Sequence, residues 1–329
     1  MHHFIINPCA GNGCARKSWP KIQKQLHQLN VKYSYYLTTS STDLKQHLRR
    51  QAQLKPTTIF VILGGDGTLY HSLNAVAFPT KLDVTLGYIP CGSGNDFAKA
   101  AQISNDPNKS LAQLLAQKTP HTLDLGYFKT SNHTGVFSNN LGLGFDARIV
   151  EMTNNSRLKK QLNKLHLGKF AYAACFFKAL RRQKAFEVTV VSPDFPAKNF
   201  SHAFLCTITD QPYFGGGVEL FPKARLDDGN LTLVVIEKKN LLNFLSIFLL
   251  MLLPGTYHLQ ARSLSFYITK QLELTTTAPQ IIQVNGETFT FPPGDLRLEI
   301  KQQKFIFPEL SNQVRKNYML ICNVLHEYF

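Results

Sequence analysis

The run TIFVILGG (58–65) limits the fold more sharply than any other stretch of the chain. From Ile59 to Leu63 no polar residue alternates in, so neither face of the strand is left for water. A strand buried on both faces belongs in a parallel sheet covered by helices. Its neighbours agree. HHFIINP, VKYSYYLTT and VTLGYIP all read as strands, the second rich in β-branched and aromatic residues. Helical patterns separate them. One is expected from a cap at Ser18, with Pro20 in its first turn, to about Leu29. TDLKQHLRRQAQL gives another, capped by Thr42; a third follows TIFVILGG, and a fourth covers NDFAKAAQI. This β-α-β-α order predicts an α/β domain with a parallel sheet and helices on both sides.

After about Leu125 the pattern changes. TGVFSNNLGL, FEVTVVS, HAFLCTITD, LTLVVIE, LSFYI, LELTTT, IIQVNGETFTF and LRLEI read as strands, interrupted by helical stretches near 163–183 and 240–253. A second, largely antiparallel β domain follows. The last segment, SNQVRKNYMLICNVLHEYF, reads as a helix capped by Ser311. The expected division is 1–126 with 302–329 for the α/β domain and 127–301 for the β domain, two domains being the ordinary outcome for 329 residues.

Charge is the next constraint. Lys and Arg number 36 against 21 acidic residues, so the net charge is 36 − 21 = +15, which favours an anionic partner. Nine of the basic residues fall between Arg157 and Lys184, and no Asp or Glu occurs between Glu151 and Glu187. That stretch is either a solvated helix face or a surface for anionic headgroups. A nucleic-acid partner would suit the charge, but no nucleic-acid-binding motif accompanies it. Six cysteines without a CxxC pair point away from metal clusters and disulfide frameworks and toward a reducing cytosol. The N-terminus lacks a signal-peptide pattern. The longest apolar run, Leu241–Leu253, has 13 residues and is too short to span a bilayer.

Three turns rich in Gly, Asn or Asp follow strands of the first domain: Asn7-Pro8-Cys9-Ala10-Gly11-Asn12-Gly13, Gly64-Gly65-Asp66-Gly67-Thr68, and Cys91-Gly92-Ser93-Gly94-Asn95-Asp96-Phe97. Ligands of open parallel sheets bind at the carboxyl ends of the strands, where these turns should meet. Missing Cβ atoms let phosphate oxygens reach backbone N–H groups, and Thr68 opens a helix whose dipole favours an anion. Asp66 beside a phosphate needs a divalent cation between them; the plain alternative is a tight Asp-Gly turn. No GxxxxGK[ST] occurs, and GLGFDA (142–147) lacks the acidic residue about 20 positions on that a dinucleotide fingerprint requires.

INPCAGNG, GGDGTL, GYIPCGSGNDFA, NLGLGFDA, GGGVELFPKARLDDGNL and VNGE occur in this order over residues 4–307. Together they resemble the diacylglycerol kinase catalytic family in its small bacterial lipid-kinase form. The resemblance implies an N-terminal domain akin to NAD kinases and phosphofructokinases, which binds the nucleotide, and a C-terminal β-sandwich that binds lipid. It implies ATP as phosphate donor and Mg²⁺ as cofactor, with a diacylglycerol-like alcohol as acceptor and phosphatidic acid as product. The implied nucleotide contacts are Asn7 and Gly11, Thr38, Gly64, Gly65, Asp66, Gly67, Thr68, Leu69 and Tyr70, then Ser93 and Asn95. Asp66, Asp96 and Asp124 resemble the acidic positions that organise catalytic Mg²⁺. Glu287 is the expected base: it follows Asn285-Gly286, a hairpin signal, and is expected to face the crevice between domains. The family's usual motif there is Asp-Gly-Glu, so this chain lacks one negative charge. Asp227-Asp228-Gly229 resembles a second Mg²⁺ site, with the Asp228 carboxylate and the carbonyls of Arg225 and Asn230 as ligands; a simple turn is the alternative.

Several readings stay open at this level. LLNFLSIFLLMLL and FAYAACFF suit either an acyl slot or a core. Other acceptors are sphingoid, phosphatidylglycerol-like or polyprenol alcohols, and NAD kinase shares GGDGT. A nucleotide- or lipid-binding homologue without catalysis is the alternative of a different class. The expected location is cytoplasmic and peripheral to the inner face of a membrane. A homodimer is compatible with the sequence.

Overall fold

The computed structural model describes residues 1–79, 81–154, 168–215, 217–253 and 256–308. The expected helix at Ser311 and the basic residues 157–167 lie outside the described residues. The chain divides into two compact units, one of residues 1–69, 82–122 and 303–329, the other of residues 70–81 and 123–302.

The first unit begins with β1 (His2–Ile6), α1 (Ala10–Gln28), β2 (Tyr33–Leu37), α2 (Ser41–Leu54) and β3 (Ile59–Gly64). It continues with the start of α3 (Asp66–Val76), then β4 (Thr85–Pro90), α4 (Asp96–Ala100) and α5 (Pro107–Ala116). The strands pair in the order β2-β1-β3-β4, all parallel. Phe60, Val61, Ile62 and Leu63 are fully buried, as a strand with no polar face demands. Phe4, Trp19, Ile22, Val61, Leu63 and Ile89 pack one side of the sheet against α1. Each such side chain contributes about 1.5–3 kcal/mol on burial.

Two caps differ from expectation. Regular helix begins in α1 before Ser18, directly after Gly11, Asn12 and Gly13, whose φ values are 57°, 54° and 87°. Ser18 and Pro20 therefore lie inside the helix. Burial of Ala15 and Trp19 needs those turns, and it outweighs the one N–H that Pro20 lacks. In α2 the cap is Ser40 rather than Thr42. Ser40 is extended (φ −156°), so its hydroxyl reaches the N–H of Asp43 at 3.1 Å. Helix α5, capped by Asp106 with Pro107 in its first turn, lies outside the sequence expectations.

The second unit is antiparallel. Its strands are β5 (His121–Lys129), β6 (Thr134–Phe137), β7 (Asn140–Gly144), β8 (Phe186–Ser192) and β9 (Phe195–Thr209). After them come the short β10 (Tyr213–Phe214) and β11 (Val218–Glu219), then β12 (Leu231–Glu237), β13 (Leu264–Thr269), β14 (Gln271–Thr276), β15 (Gln280–Val284), β16 (Glu287–Phe291) and β17 (Gly294–Ile306). The path runs β16-β15-β7-β9-β8-β14-β17, with β12 between β9 and β13. The final residues of β17, Phe305 and Ile306, belong to the first unit and pair in parallel with β4. Among the described residues, these strands are accompanied by α6 (Phe145–Asn154), which the sequence reading missed, α7 (Gly168–Arg182) and α8 (Leu241–Met251). The run TGVFSNNLGL is two strands, broken at Ser138-Asn139. Among the described residues, no helix is long and apolar enough to cross a membrane.

A buried carboxyl links three strands. Asp146 accepts from the Thr207 hydroxyl of β9 at 3.0 Å, from Gln283 of β15 at 3.4 Å and from the N–H of Ala147 at 2.8 Å. A Cβ on Gly142 of β7 would meet its Oδ2 at 1.7 Å, so only glycine admits it. Burial pushes its pKa from 3.8 to about 6 against the pull of those hydrogen bonds. The folded protein then holds this proton more tightly than the unfolded chain. Its contribution to stability is greatest below pH 3.8, falls as pH rises to about 6, and is constant above. The shift corresponds to at most about 3 kcal/mol. Urea midpoints of Asp146→Asn measured across that range should lack the part of the slope that Asp146 adds to the wild type.

Candidate active site

The site's first part is backbone. The N–H of Asn7 donates to Leu63 O at 3.0 Å and the N–H of Cys91 to Gly64 O at 2.7 Å, so the three strand-end turns are tied together. Glycine makes this approach available. A Cβ on Gly11 would lie 2.0 Å from the Cys91 carbonyl oxygen, and Gly11 also has φ +57°. A Cβ on Gly92 would lie 2.7 Å from Gly65 Cα, and one on Gly65 3.1 Å from Gly92 Cα. Asn7 Nδ2 donates to the Thr68 hydroxyl at 3.0 Å, joining the first turn to the second. Gly65 O accepts from Leu69 N, which closes the first turn of α3, and Gly67 has nothing within 4 Å of a notional Cβ. The result is a helix N-terminus, glycine-flanked, at the carboxyl end of a parallel sheet.

Two carboxylates stand in this backbone. Asp66 Oδ2 accepts from the N–H of Asp96 at 3.3 Å, while its Oδ1 is buried without a hydrogen-bond partner. Burial first, then the charge of Asp96, push the Asp66 pKa up to about 6. Uncompensated negative charge of this kind fits a cation. Ser93 is exposed on the same turn. Asn95 is committed locally: it is left-handed (φ 56°), its Oδ1 accepts from Gly92 N at 2.9 Å, and its Nδ2 donates to Gly92 O and Asn105. The Thr38 hydroxyl donates to Ile6 O at 3.1 Å, at the end of β1.

The remaining candidates belong to the second unit. Asp124 Oδ2 accepts from Gly229 N at 2.6 Å and Oδ1 from Gln302 at 3.3 Å. Asp228 accepts from Asn230 N at 3.0 Å, and Arg225 pairs with Asp227 at 2.9 Å. Asp228 is exposed as a residue, on a turn beside Asp124. Burial and the neighbouring Asp124 push it up to about 6. Asp210, which the sequence reading passed over, completes the group. It is 1% exposed, and neither carboxylate oxygen makes a hydrogen bond of good geometry. Burial, then the charges of Asp124 and Asp228, push its pKa well up, with N–H groups of Asp210 and Gly126 opposing. The available signal was an acid at the end of an otherwise apolar strand, HAFLCTITD. No three His, Cys, Asp or Glu side chains among the described residues are arranged to hold a metal by themselves. A cation at Asp228 would take its other ligands from carbonyls and water, a donor set that suits Mg²⁺.

Glu287 is exposed on the first position of β16. Its turn is tightly held. Asn285 and Gly286 have φ 48° and 88°, the pair of positive values that a two-residue hairpin requires. Asn285 Nδ2 donates to the Ser138 hydroxyl at 3.2 Å, its Oδ1 accepts from Asn139 N at 3.2 Å, and its N–H donates to Asn140 O at 3.0 Å. Gly286 N donates to Gln283 Oε1 at 3.0 Å, and Gly286 O accepts from Asn154 at 2.8 Å. Gln283 leads back to Asp146. Tyr70 is the other neighbour: burial, then the Glu287 charge, push its phenol up to about 12. Tyr70, expected as a nucleotide contact, thus feels the charge of the candidate base.

These features define a phosphoryl-transfer enzyme by their parts, and the comparisons agree. Residues 2–128 match the diacylglycerol kinase catalytic domain, and residues 139–303 match the YegS C-terminal NAD kinase beta sandwich-like domain. The chain belongs to the diacylglycerol kinase catalytic-domain family. It is a lipid kinase, a phosphotransferase with an alcohol acceptor, with an α/β N-terminal domain and an antiparallel β-sandwich. It is 26% identical over 297 residues to a diacylglycerol kinase of Bacillus subtilis (strain 168), covering 89% of this chain and 91% of that protein. A diacylglycerol kinase of Staphylococcus saprophyticus is 25% identical over 304 residues, covering 92% and 94%. The crystal structure of a diacylglycerol kinase from Bacillus anthracis str. Sterne shares the fold, with a TM-score of 0.67 at 18% identity over 94% of this chain and 97% of that one.

Asn285→Gly keeps the positive φ and removes both side-chain hydrogen bonds. It should lower stability by about 1–3 kcal/mol in urea melts and lower turnover about tenfold through looser placement of Glu287. Asn285→Asp still accepts from Asn139 N and lets Ser138 donate, so it should stay close to wild type in both measurements.

Proposed function

We propose that this chain is an ATP- and Mg²⁺-dependent kinase that phosphorylates the hydroxyl of diacylglycerol, giving phosphatidic acid, at the cytoplasmic face of a membrane. The observation that carries this reading is the junction of three glycine turns around Asp66, whose carboxylate lacks a counter-charge. The glycine-flanked N-terminus of α3 binds and orients the phosphates of the nucleotide. Asp66, Asp96 and Asp124 would organise the catalytic Mg²⁺, and Asp228 with the carbonyls of Arg225 and Asn230 would hold a second. When bound, the metal would neutralise charge on the phosphate oxygens. Glu287 accepts the proton of the lipid hydroxyl as its oxygen bonds to the γ-phosphorus. The bond to the β-γ bridging oxygen breaks, and ADP leaves.

Lipid vesicles carrying diacylglycerol, radiolabelled ATP and Mg²⁺ test this directly. Glu287→Gln should fold normally and lose roughly 10²–10⁴-fold in turnover. Equal turnover by both proteins removes Glu287 from the chemistry. A parallel panel of sphingoid, phosphatidylglycerol-like and polyprenol alcohols decides the acceptor: label entering one of these and not diacylglycerol overturns the substrate named above.

A further inference from the structure

Helix α8 is apolar on both faces. Phe244, Ile247 and Met251 point inward, and Phe248 and Leu245 pack beside them in a cluster with Phe145, Phe176 and Phe204. The outward face is no more polar. Leu242 is 78% exposed and Leu249 61%, and the residues that follow the helix, Leu252 and Leu253, are 54% and 51% exposed. Ser246 interrupts this stripe, but its hydroxyl is turned back onto Asn243 O at 2.8 Å. A helix apolar all round is normally covered on all sides. This one presents leucines at helical spacing to the outside.

The surroundings say what covers it. Helix α7 is adjacent, since the rings of Phe176 and Phe248 lie 4.5 Å apart. Its next residue, Phe177, is 61% exposed, and Lys178, Arg181 and Arg182 beyond it are exposed as well. Lys239 is exposed immediately before α8. No Asp or Glu occurs between Glu237 and Glu273. A patch of leucine and phenylalanine flanked by exposed cations matches a bilayer with anionic headgroups. A second copy of the chain would bring a like-charged rim against this one. The helix has 11 residues and is about 16 Å long, half of what a spanning helix needs, so it would lie in the plane of the interface.

We propose that the outward leucine face of α8, with Phe177 and the flanking Lys and Arg residues, is the surface by which this enzyme enters the acyl–headgroup boundary of an anionic membrane. The inference rests on the reading that the acceptor is a membrane lipid, and it names the surface that reaches it. It takes in only the end of the basic 157–184 stretch, Phe177 to Arg182, and adds the apolar face of α8, so the attachment is apolar first and the cations select the lipid.

The test uses the full chain and the double variant Leu242→Gln/Leu249→Gln, at sites that lie mostly in water. Wild type should float with phosphatidylcholine vesicles containing phosphatidylglycerol and less with phosphatidylcholine alone. The variant should lose about tenfold or more in partitioning. Both should phosphorylate lipid equally in detergent mixed micelles, where no bilayer has to be entered. Equal flotation of the two proteins overturns the proposal. So does a variant that floats normally but turns a wild-type dimer into a monomer, which would make the face a contact between copies. If neither protein phosphorylates any lipid in micelles, yet only wild type floats, the acceptor reading fails while the docking surface stands.

Discussion

The close approach of backbone to backbone at the ends of β1, β3 and β4 is the constraint on which the candidate site depends. It exists because three positions carry no Cβ. At Gly11 the atom would overlap the Cys91 carbonyl, and at Gly65 and Gly92 each would crowd the other. The same absence leaves N–H groups at the start of α3 accessible to an anion. A parallel sheet brings all its strand ends to one edge, so turns distant in sequence become neighbours without any side chain arranging it.

Charge is handled differently in the two units. Burial and the charge of Asp96 raise the proton affinity of Asp66 within the glycine junction. In the β-sandwich the charge of Asp124 adds to burial in raising Asp210 and Asp228, with Asp210 fully enclosed. Burying carboxylates together costs free energy unless they are protonated or meet a cation. Either outcome alters the local charge without moving the backbone. Glu287 is the contrast: it stays in water, and its position is fixed by the turn beneath it rather than by its own contacts.

That turn also accounts for Asn285. An amide offers one donor and one acceptor, and Ser138 and Asn139 supply the complementary pair. The loss of a carboxylate relative to the usual family motif is therefore compatible with a well-held base. The chain from Asp146 through Gln283 to Gly286 extends the support into the core, where Gly142 makes room for it.

The sequence by itself determined most of the order of elements, the parallel sheet, the antiparallel second domain and the Asn-Gly hairpin. Each follows from local rules: an apolar run without alternation, period-two strands, and residues that tolerate positive φ. It did not determine where α1 starts, because burial of Trp19 draws Ser18 and Pro20 into the helix. Helix α6 was invisible for a similar reason, since its start at Phe145 and Asp146 is stabilised by Thr207 and Gln283, far along the chain. Tertiary structure alone placed Asp210 with Asp124 and Asp228, and Tyr70 with Glu287. It also decided which leucines of α8 face outward. Proximity between residues remote in sequence is set by sheet pairing and packing, and neither leaves a mark in local composition.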